Sequence, residues 1–409
     1  MATPAQRTNT WILDEWYDQA VAGTTGGYQF GNELWAWGDN AQGTLGQNSP
    51  TPSDLSSPTQ IGTNVNWSYI DERGNGTACF GVKTDGTLWA WGSDDQGSLG
   101  QNSDGPKFSS PMQIGSETNW STVDAGRASI GAITTSGELF TWGWNNYGIL
   151  GHNQGGVSNA APRKSSPVQV PGTNWKQLKF GFNHVMAVKT DGTLWGWGNN
   201  DSGRLGFNNN TYQSSPTQIG TDTTWDRADA GITCSLASKT DGTLWSMGTN
   251  TSGELGLNSN TIERSSPTQI PGTWAQFSCN TGESDPRFNM GVKTNGNLYI
   301  WGRGYQGQMG LGGPTTGNWI RRSSPTQLPG TWDTVKSAGG QNTINASNAV
   351  CAKKADDTWW VWGFGGNGGL GLNQGGPGPT TSKASPVQLP GTYDFMQIGG
   401  SGSHAMKSS

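Results

Sequence analysis

The chain repeats itself. A Trp-Gly pair, or a close variant, ends a short apolar stretch seven times, and the first residues of these pairs are 54, 51, 55, 50, 54 and 61 positions apart. The pairs begin at Trp37, Trp91, Trp142, Trp197, Met247, Trp301 and Trp362. A Ser-Pro marker follows each pair, with its proline at Pro58, Pro111, Pro167, Pro216, Pro267, Pro325 and Pro386. A period of this length is typical of solenoids and propellers. We therefore seek function where the repeats differ.

One repeat contains the pattern of four short strands. In 119–143, apolar and polar residues alternate over the first strand, a β-branched strand follows, and a third strand ends at Trp142-Gly143. Strands two and three are joined by Ser136-Gly137 here and by Asp-Gly or Asn-Gly in other repeats, which predicts type I′ turns. The Ser-Pro marker begins a fourth, outer strand, because proline is tolerated at a sheet edge. Seven such repeats predict an all-β, seven-bladed β-propeller.

The two ends of the repeat region each carry half a motif. Residues 405–408 (Ala-Met-Lys-Ser) match the strand that enters a hairpin turn, and residues 31–35 (Gly-Asn-Glu-Leu-Trp) match the strand that leaves one. The sequence thus predicts a propeller over 31–409, closed by pairing of N- and C-terminal strands. Residues 1–30 form a separate N-terminal arm.

Composition excludes several classes of protein. The net charge is −5 and the chain has no run of Lys and Arg, so we expect no nucleic acid partner. It has no long apolar segment and no signal peptide, so we expect no membrane insertion. The 22 Trp argue against disorder. The four Cys have no metal-site spacing, and we expect them to be buried small hydrophobes.

The repeat resembles the regulator of chromosome condensation repeat. The resemblance lies in Leu88-Trp89-Ala90-Trp91-Gly92 followed by Gln96-Gly97-Ser98-Leu99-Gly100, in the corresponding residues 194–198 and 202–206, and in the Ser-Pro markers. It covers about nine-tenths of the chain and implies that family's seven-bladed propeller. It does not carry over the founding member's function, nucleotide exchange on a small GTPase at chromatin, because one fold hosts many functions.

No pattern of catalytic residues is present in the sequence. The three histidines, His152, His184 and His404, lie in different repeats, and no nucleophile elbow or Walker loop occurs. The Gly-rich stretch 363–369 coincides with a turn of the repeat. We expect no enzymatic activity, no metal and no cofactor.

The repeats differ most in the loops that join strands one to two and three to four. Loops 280–289 and 339–348 are long, and they bracket segment 303–322. Variable loops on a rigid scaffold commonly carry binding, and exposed Trp and Arg are enriched at binding hot spots. The candidate ligand-binding residues are Glu283, Asp285, Arg287, Tyr305, Trp319, Arg321, Arg322, Gln341 and Asn342. The alternative is that Trp319 folds over its own loop and that the charges are a solvated rim.

The arm carries a helical stripe of apolar residues. Its candidate anchoring residues are Trp11, Ile12, Leu13, Trp16 and Tyr17. Because a helix this short is marginal in water, the stripe must bury against something. Two alternatives remain open: the stripe is buried against the chain's own propeller, or it is buried against a second chain. A homo-oligomer is one form of the second alternative.

The arm also resembles an opening seen on repeat proteins of marine bacteriophages, through Thr8-Asn9-Thr10-Trp11 and Trp16-Tyr17. This resemblance implies a non-enzymatic tail- or capsid-attached virion protein, assembled in the host cytoplasm. The arm would then bind other virion proteins, and the variable loops would bind a host surface glycan or protein. The alternative is an intracellular protein-interaction propeller, including a regulator of a small GTPase-like partner.

Overall fold

The regular secondary structure of the described residues is almost entirely β-strand. The computed structural model describes residues 32–49, 53–72, 77–155, 162–280, 287–315, 320–337, 349–374, 381–399 and 402–408. The predicted helical arm lies outside these ranges. Single 3-10 turns lie at Asp95–Gly97, Asn146–Gly148, Asp201–Gly203 and Gly366–Gly368.

The strands follow the repeat. In chain order they are β1 (Asn32–Gly38), β2 (Leu55–Gln60), β3 (Trp67–Glu72), β4 (Ala78–Lys83), β5 (Leu88–Ser93), β6 (Lys107–Ile114), β7 (Trp120–Ala125), β8 (Ser129–Thr134), β9 (Leu139–Gly143), β10 (Lys164–Val170), β11 (Trp175–Phe180), β12 (His184–Lys189), β13 (Leu194–Gly198), β14 (Gln213–Gln218), β15 (Trp225–Ala230), β16 (Cys234–Lys239), β17 (Thr243–Gly248), β18 (Arg264–Cys279), β19 (Arg287–Lys293), β20 (Leu298–Gly304), β21 (Ile320–Leu328), β22 (Trp332–Ser337), β23 (Ala349–Lys354), β24 (Trp359–Gly363), β25 (Lys383–Gln388), β26 (Phe395–Ile398) and β27 (Gly402–Ser408).

The strands pair antiparallel in groups of four, which we call blades A to G. Blade A is β26-β27-β1-β2; blades B, C and D are β3–β6, β7–β10 and β11–β14. Blade E is β15–β17 with the first half of β18, and blade F is the second half of β18 with β19–β21. Blade G is β22–β25. Blade A contains the predicted pairing of the two chain ends, from Asn32 opposite Ser408 to Gly38 opposite Gly402.

The first strands of the blades surround one axis. Each contacts the next in the order β3, β7, β11, β15, β18, β22 and β26, and β26 contacts β3. The chain is therefore an all-β propeller.

Indole hydrogen bonds join neighbouring blades and explain the Trp-Gly motif. Trp197 is fully buried, and its Nε1–H donates to the Ile149 carbonyl of the preceding blade at 2.8 Å. Trp37, Trp91, Trp142, Trp301 and Trp362 make the equivalent bond. At the outer rim, Asn102 N–H donates to the Ser165 carbonyl beside the next blade's Ser-Pro marker, and Asn373 does the same to Ser56 of blade A. The repeated residues thus connect blades as well as form them.

The predicted type of hairpin turn is wrong. Among the described residues, Gly86 has φ +76°, but Asp85 is not left-handed. The Gly86 N–H donates to the Lys83 carbonyl, and the Lys83 N–H donates to the Thr87 carbonyl. This pattern fits a three-residue loop whose last residue is left-handed. Asp85 is selected by its side chain instead, since its Oδ1 accepts from the Thr87 N–H at 3.0 Å.

Candidate functional site

Four of the nine candidate ligand-binding residues are described, and all four lie in blade F. Arg287 begins β19, Tyr305 follows β20, and Arg321 and Arg322 are exposed in β21. Glu283, Asp285, Trp319, Gln341 and Asn342 lie outside the described residues, as do the arm residues Trp11, Ile12, Leu13, Trp16 and Tyr17.

The register of blade F aligns three arginines across adjacent strands. Arg287 lies opposite Arg303, and Arg303 lies opposite Arg321. We call these three residues the arginine row. Side chains directly opposite one another in an antiparallel pair have Cβ atoms about 4.5–5.5 Å apart. Arg303, which directly follows the Trp301-Gly302 pair, is not among the residues predicted from the sequence.

A buried carboxyl from blade E lies beneath one end of the row. Glu254 is 1% exposed, and its Oε2 accepts from the Ser252 N–H at 2.7 Å. Burial raises the pKa of Glu254, although the nearby charges of Arg287 and Arg303 oppose that rise. Glu254 is thus a partial counter-charge for the inner two arginines. The outer end of the row, Arg321, is exposed, and so is its neighbour Arg322, which lies opposite Gly302.

The same end of the propeller carries a second arginine site. Arg127, between β7 and β8, places its guanidinium carbon 4.9 Å from the ring centre of Trp144 and 5.0 Å from that of Phe182. Stacking of this kind fixes the orientation of the guanidinium. Arginine is therefore a recurrent feature of the loop face, by which we mean the end that bears the strand 1–2 and 3–4 loops.

The central channel holds a ring of polar residues at one register position. The position lies four residues after a repeated aromatic residue, which is Trp67, Trp120, Trp175, Trp225, Trp274, Trp332 or Tyr393. It is occupied by Asp71, Asp124, Lys179, Asp229, Ser278, Lys336 and Gln397. Lys179 donates to Asp124 Oδ1. The cavity among these residues has a volume of about 120 Å³.

The channel carboxylates hold blades together. Asp71 Oδ2 accepts from the Ala125 N–H of the next blade at 2.8 Å, and Asp229 Oδ2 accepts from the Cys279 N–H at 2.8 Å. Burial, followed by the charge of Asp124, raises the pKa of Asp71 to about 8. Burial alone would lower the pKa of Lys179, but Asp124 and the other channel carboxylates raise it well above 10.5. This network serves mainly to connect blades.

Ring closure brings together a third polar cluster. His404 Nδ1 lies 3.3 Å from Glu72 Oε2, His404 Nε2 lies 3.0 Å from the Thr44 carbonyl, and Cys79 Sγ lies 3.6 Å from Nε2. Glu72, Cys79 and His404 are the described residues whose donor atoms could share a metal ion. However, both ring nitrogens of His404 already face protein oxygens. The geometry therefore fits a hydrogen-bonded cluster that connects β27 to blade B, and not a metal site.

All four cysteines are buried, as the sequence predicted.

The sequence matches a family model described as an RCC1-like domain over residues 33–407. The chain belongs to the RCC1-like domain family. The predicted resemblance to that repeat is therefore confirmed. Among the described residues, no helix is long and apolar enough to cross a membrane.

The relatives that this RCC1-like chain matches in sequence include a receptor and a ubiquitin-protein ligase. It is 31% identical over 189 residues to the ultraviolet-B receptor UVR8 of Arabidopsis thaliana, covering 46% of this chain and 42% of the receptor. It is 34% identical over 182 residues to the human E3 ubiquitin-protein ligase HERC2, covering 42% of this chain and 4% of the ligase. The chain thus spans less than half the length of these relatives.

Solved structures show the same RCC1-like fold. Prp20p of Saccharomyces cerevisiae superposes with a TM-score of 0.76 at 18% identity, covering 93% of this chain and 92% of that one. Human WBSCR16 superposes with a TM-score of 0.77 at 18% identity, covering 92% and 100%. None of these four relatives is described as a virion protein, so the expected place in a bacteriophage virion gains no support from them.

Proposed function

We propose that this RCC1-like chain is a non-enzymatic protein-binding module. Its scaffold is the seven-bladed ring formed by blades A to G, and its loop face binds an acidic segment of a protein partner. The interaction propeller that the sequence analysis held as its alternative, including a regulator of a small GTPase-like partner, falls within this class.

The arginine row is the observation that carries the proposal. The register of β19, β20 and β21 places Arg287, Arg303 and Arg321 side by side, and Arg321 is exposed. Arginine forms bidentate, charge-assisted hydrogen bonds with carboxylates, so an acidic partner would gain contacts at this row. Arg287 lies within the predicted loop 280–289, and Arg303 and Arg321 lie within the predicted segment 303–322.

The relatives support binding of proteins as a class of function. The Prp20p structure is described together with its binding to Gsp1p and histones. Another relative, a human RCC1-like G exchanging factor-like protein, is 28% identical over 192 residues, covering 45% of this chain and 40% of that protein. Those partners belong to the relatives; the acidic partner proposed here rests on the arginine row.

The test is binding of a fluorescent octa-glutamate peptide, followed by anisotropy. Wild type should bind, and R321Q/R322Q should bind about tenfold or more weakly, a loss of about 1.4 kcal/mol. The matched control is K176Q/K353Q, which also removes two positive charges but at the opposite, hairpin end of the blades. Binding should weaken with added salt. Equal loss in both double variants would show only a general charge effect and would defeat the proposal.

A further inference from the structure

Five blades place their own lysine against two aromatic rings. In blade B the Lys83 ammonium lies 5.0 Å from the ring centre of Trp67 and 3.9 Å from that of Trp89. The same arrangement recurs with Lys189, Lys239, Lys293 and Lys354. The fold thus builds an ammonium-binding pair of rings at the hairpin end of each of these blades, which we call the lysine cage.

Blade C has the two aromatic rings of the lysine cage but has a threonine in place of the lysine. Thr134 lies opposite Trp120, in the register position where Lys83 lies opposite Trp67. The rings of Trp120 and Phe140 remain 5.2 Å apart in an edge-on arrangement, like the ring pairs of the other blades. The Thr134 side chain is short, and its hydroxyl accepts from the Glu138 N–H at 3.1 Å. Its hydroxyl is therefore committed to the hairpin.

A cavity of about 460 Å³ opens beside these two rings. Trp120, Phe140, Thr134, Glu117 and Glu138 are among the described residues that line it, and no Lys, Arg or His is among them. Glu117 is exposed, and its Oε2 accepts from the Ser116 N–H at 3.0 Å. Glu138 accepts from Gln169 Nε2 at 3.3 Å and from Ser136 Oγ at 3.0 Å. These contacts come from neutral donors, so the two carboxylates leave negative charge at the cavity.

We propose that blade C binds an alkylammonium group from outside, namely the side chain of a lysine in a protein partner. Aromatic faces attract a cation by about 0.5–2 kcal/mol, more when it is desolvated. The carboxylates add charge complementarity. Lysine is favoured over other amines because the five equivalent cages hold a lysine stem and head. The site lies at the hairpin end, away from the arginine row, and does not depend on the function proposed above.

The experiment titrates the protein with N-acetyl-lysine-N-methylamide and follows the ligand by NMR. The uncharged norleucine analogue is the control ligand. Thr134→Lys supplies the lysine that the other cages carry, so it should keep the wild-type melting temperature or raise it and weaken ligand binding about tenfold or more. Thr134→Ser keeps the hydroxyl and should bind like wild type.

Two further variants separate the cage from a general charge effect. Thr190→Lys adds the same charge on the exposed hairpin of blade D and should leave binding unchanged. E117Q/E138Q keeps the rings and should weaken binding without lowering stability, which preserves the test if Thr134→Lys misfolds.

Equal binding of the norleucine analogue, or full binding by Thr134→Lys, would overturn the site. Choline is the second probe. A clear preference for choline over the lysine probe would overturn the assignment to lysine.

Discussion

His404 Nδ1 lies 3.3 Å from Glu72 Oε2, although 332 positions separate the two residues. Both side chains are fully buried. Nε2 of the same ring lies 3.0 Å from the Thr44 carbonyl, which also accepts from Trp91 Nε1–H at 2.6 Å. His404 therefore joins β27 to blade B and to the segment that follows β1.

Glu72→Gln and His404→Ala should each lower the free energy of unfolding by about 2–4 kcal/mol, because each leaves a buried polar partner unsatisfied. Denaturant unfolding of both single variants and the double variant gives the coupling energy. Asp95→Asn, on an exposed 3-10 turn, should change little. A coupling energy near zero would show that the contact between Glu72 and His404 does not stabilise the fold.

Deletion of residues 398–409 should strongly lower the melting temperature. It removes β27, which pairs with β1 along its whole length, and so exposes the edge of β1 and the core of blade A. Calorimetry or circular dichroism measures the effect. Cooperative unfolding at the wild-type temperature would show that the end strands do not hold the ring.

The channel predicts a dependence of stability on pH. Folded Asp71 keeps its proton until about pH 8, whereas the unfolded side chain loses it near 3.8. Folding therefore takes up a proton between these values, and the contribution of Asp71 to stability falls as the pH rises through this window. Asp71→Asn should show a smaller loss of melting temperature than wild type between about pH 5 and about pH 8. Parallel pH profiles for both proteins would refute the raised pKa.

Trp197→Phe should destabilise the fold by about 1–3 kcal/mol, because it leaves the buried Ile149 carbonyl without its indole donor. Trp245→Phe is the control, since Trp245 is half-buried and its indole donates to the Thr243 hydroxyl of its own strand and not to a neighbouring blade. Thermal and denaturant unfolding should rank Trp197→Phe as the more damaging change. Equal effects would mean that the loss of buried side-chain area, and not the loss of the hydrogen bond between blades, determines the loss of stability.

The sequence by itself determined the repeat, the strands and the pairing of the chain ends. It could do so because these features depend on local signals: alternating apolar residues, glycine at left-handed positions, and proline at an outer strand. Even the Thr134 exception to the lysine cage is visible once the repeats are aligned. The type of hairpin turn was missed because the Asp side chain, and not its backbone angle, selects that residue.

Tertiary structure alone decided which polar groups meet. The arginine row depends on the register among β19, β20 and β21, where a one-residue slip would turn each side chain to the other face. The contact of Glu72, Cys79 and His404 exists only because closure of the ring brings distant segments together. Hydrophobic periodicity specifies which face of a strand is buried, but only packing between strands and blades specifies the distances between polar atoms on them.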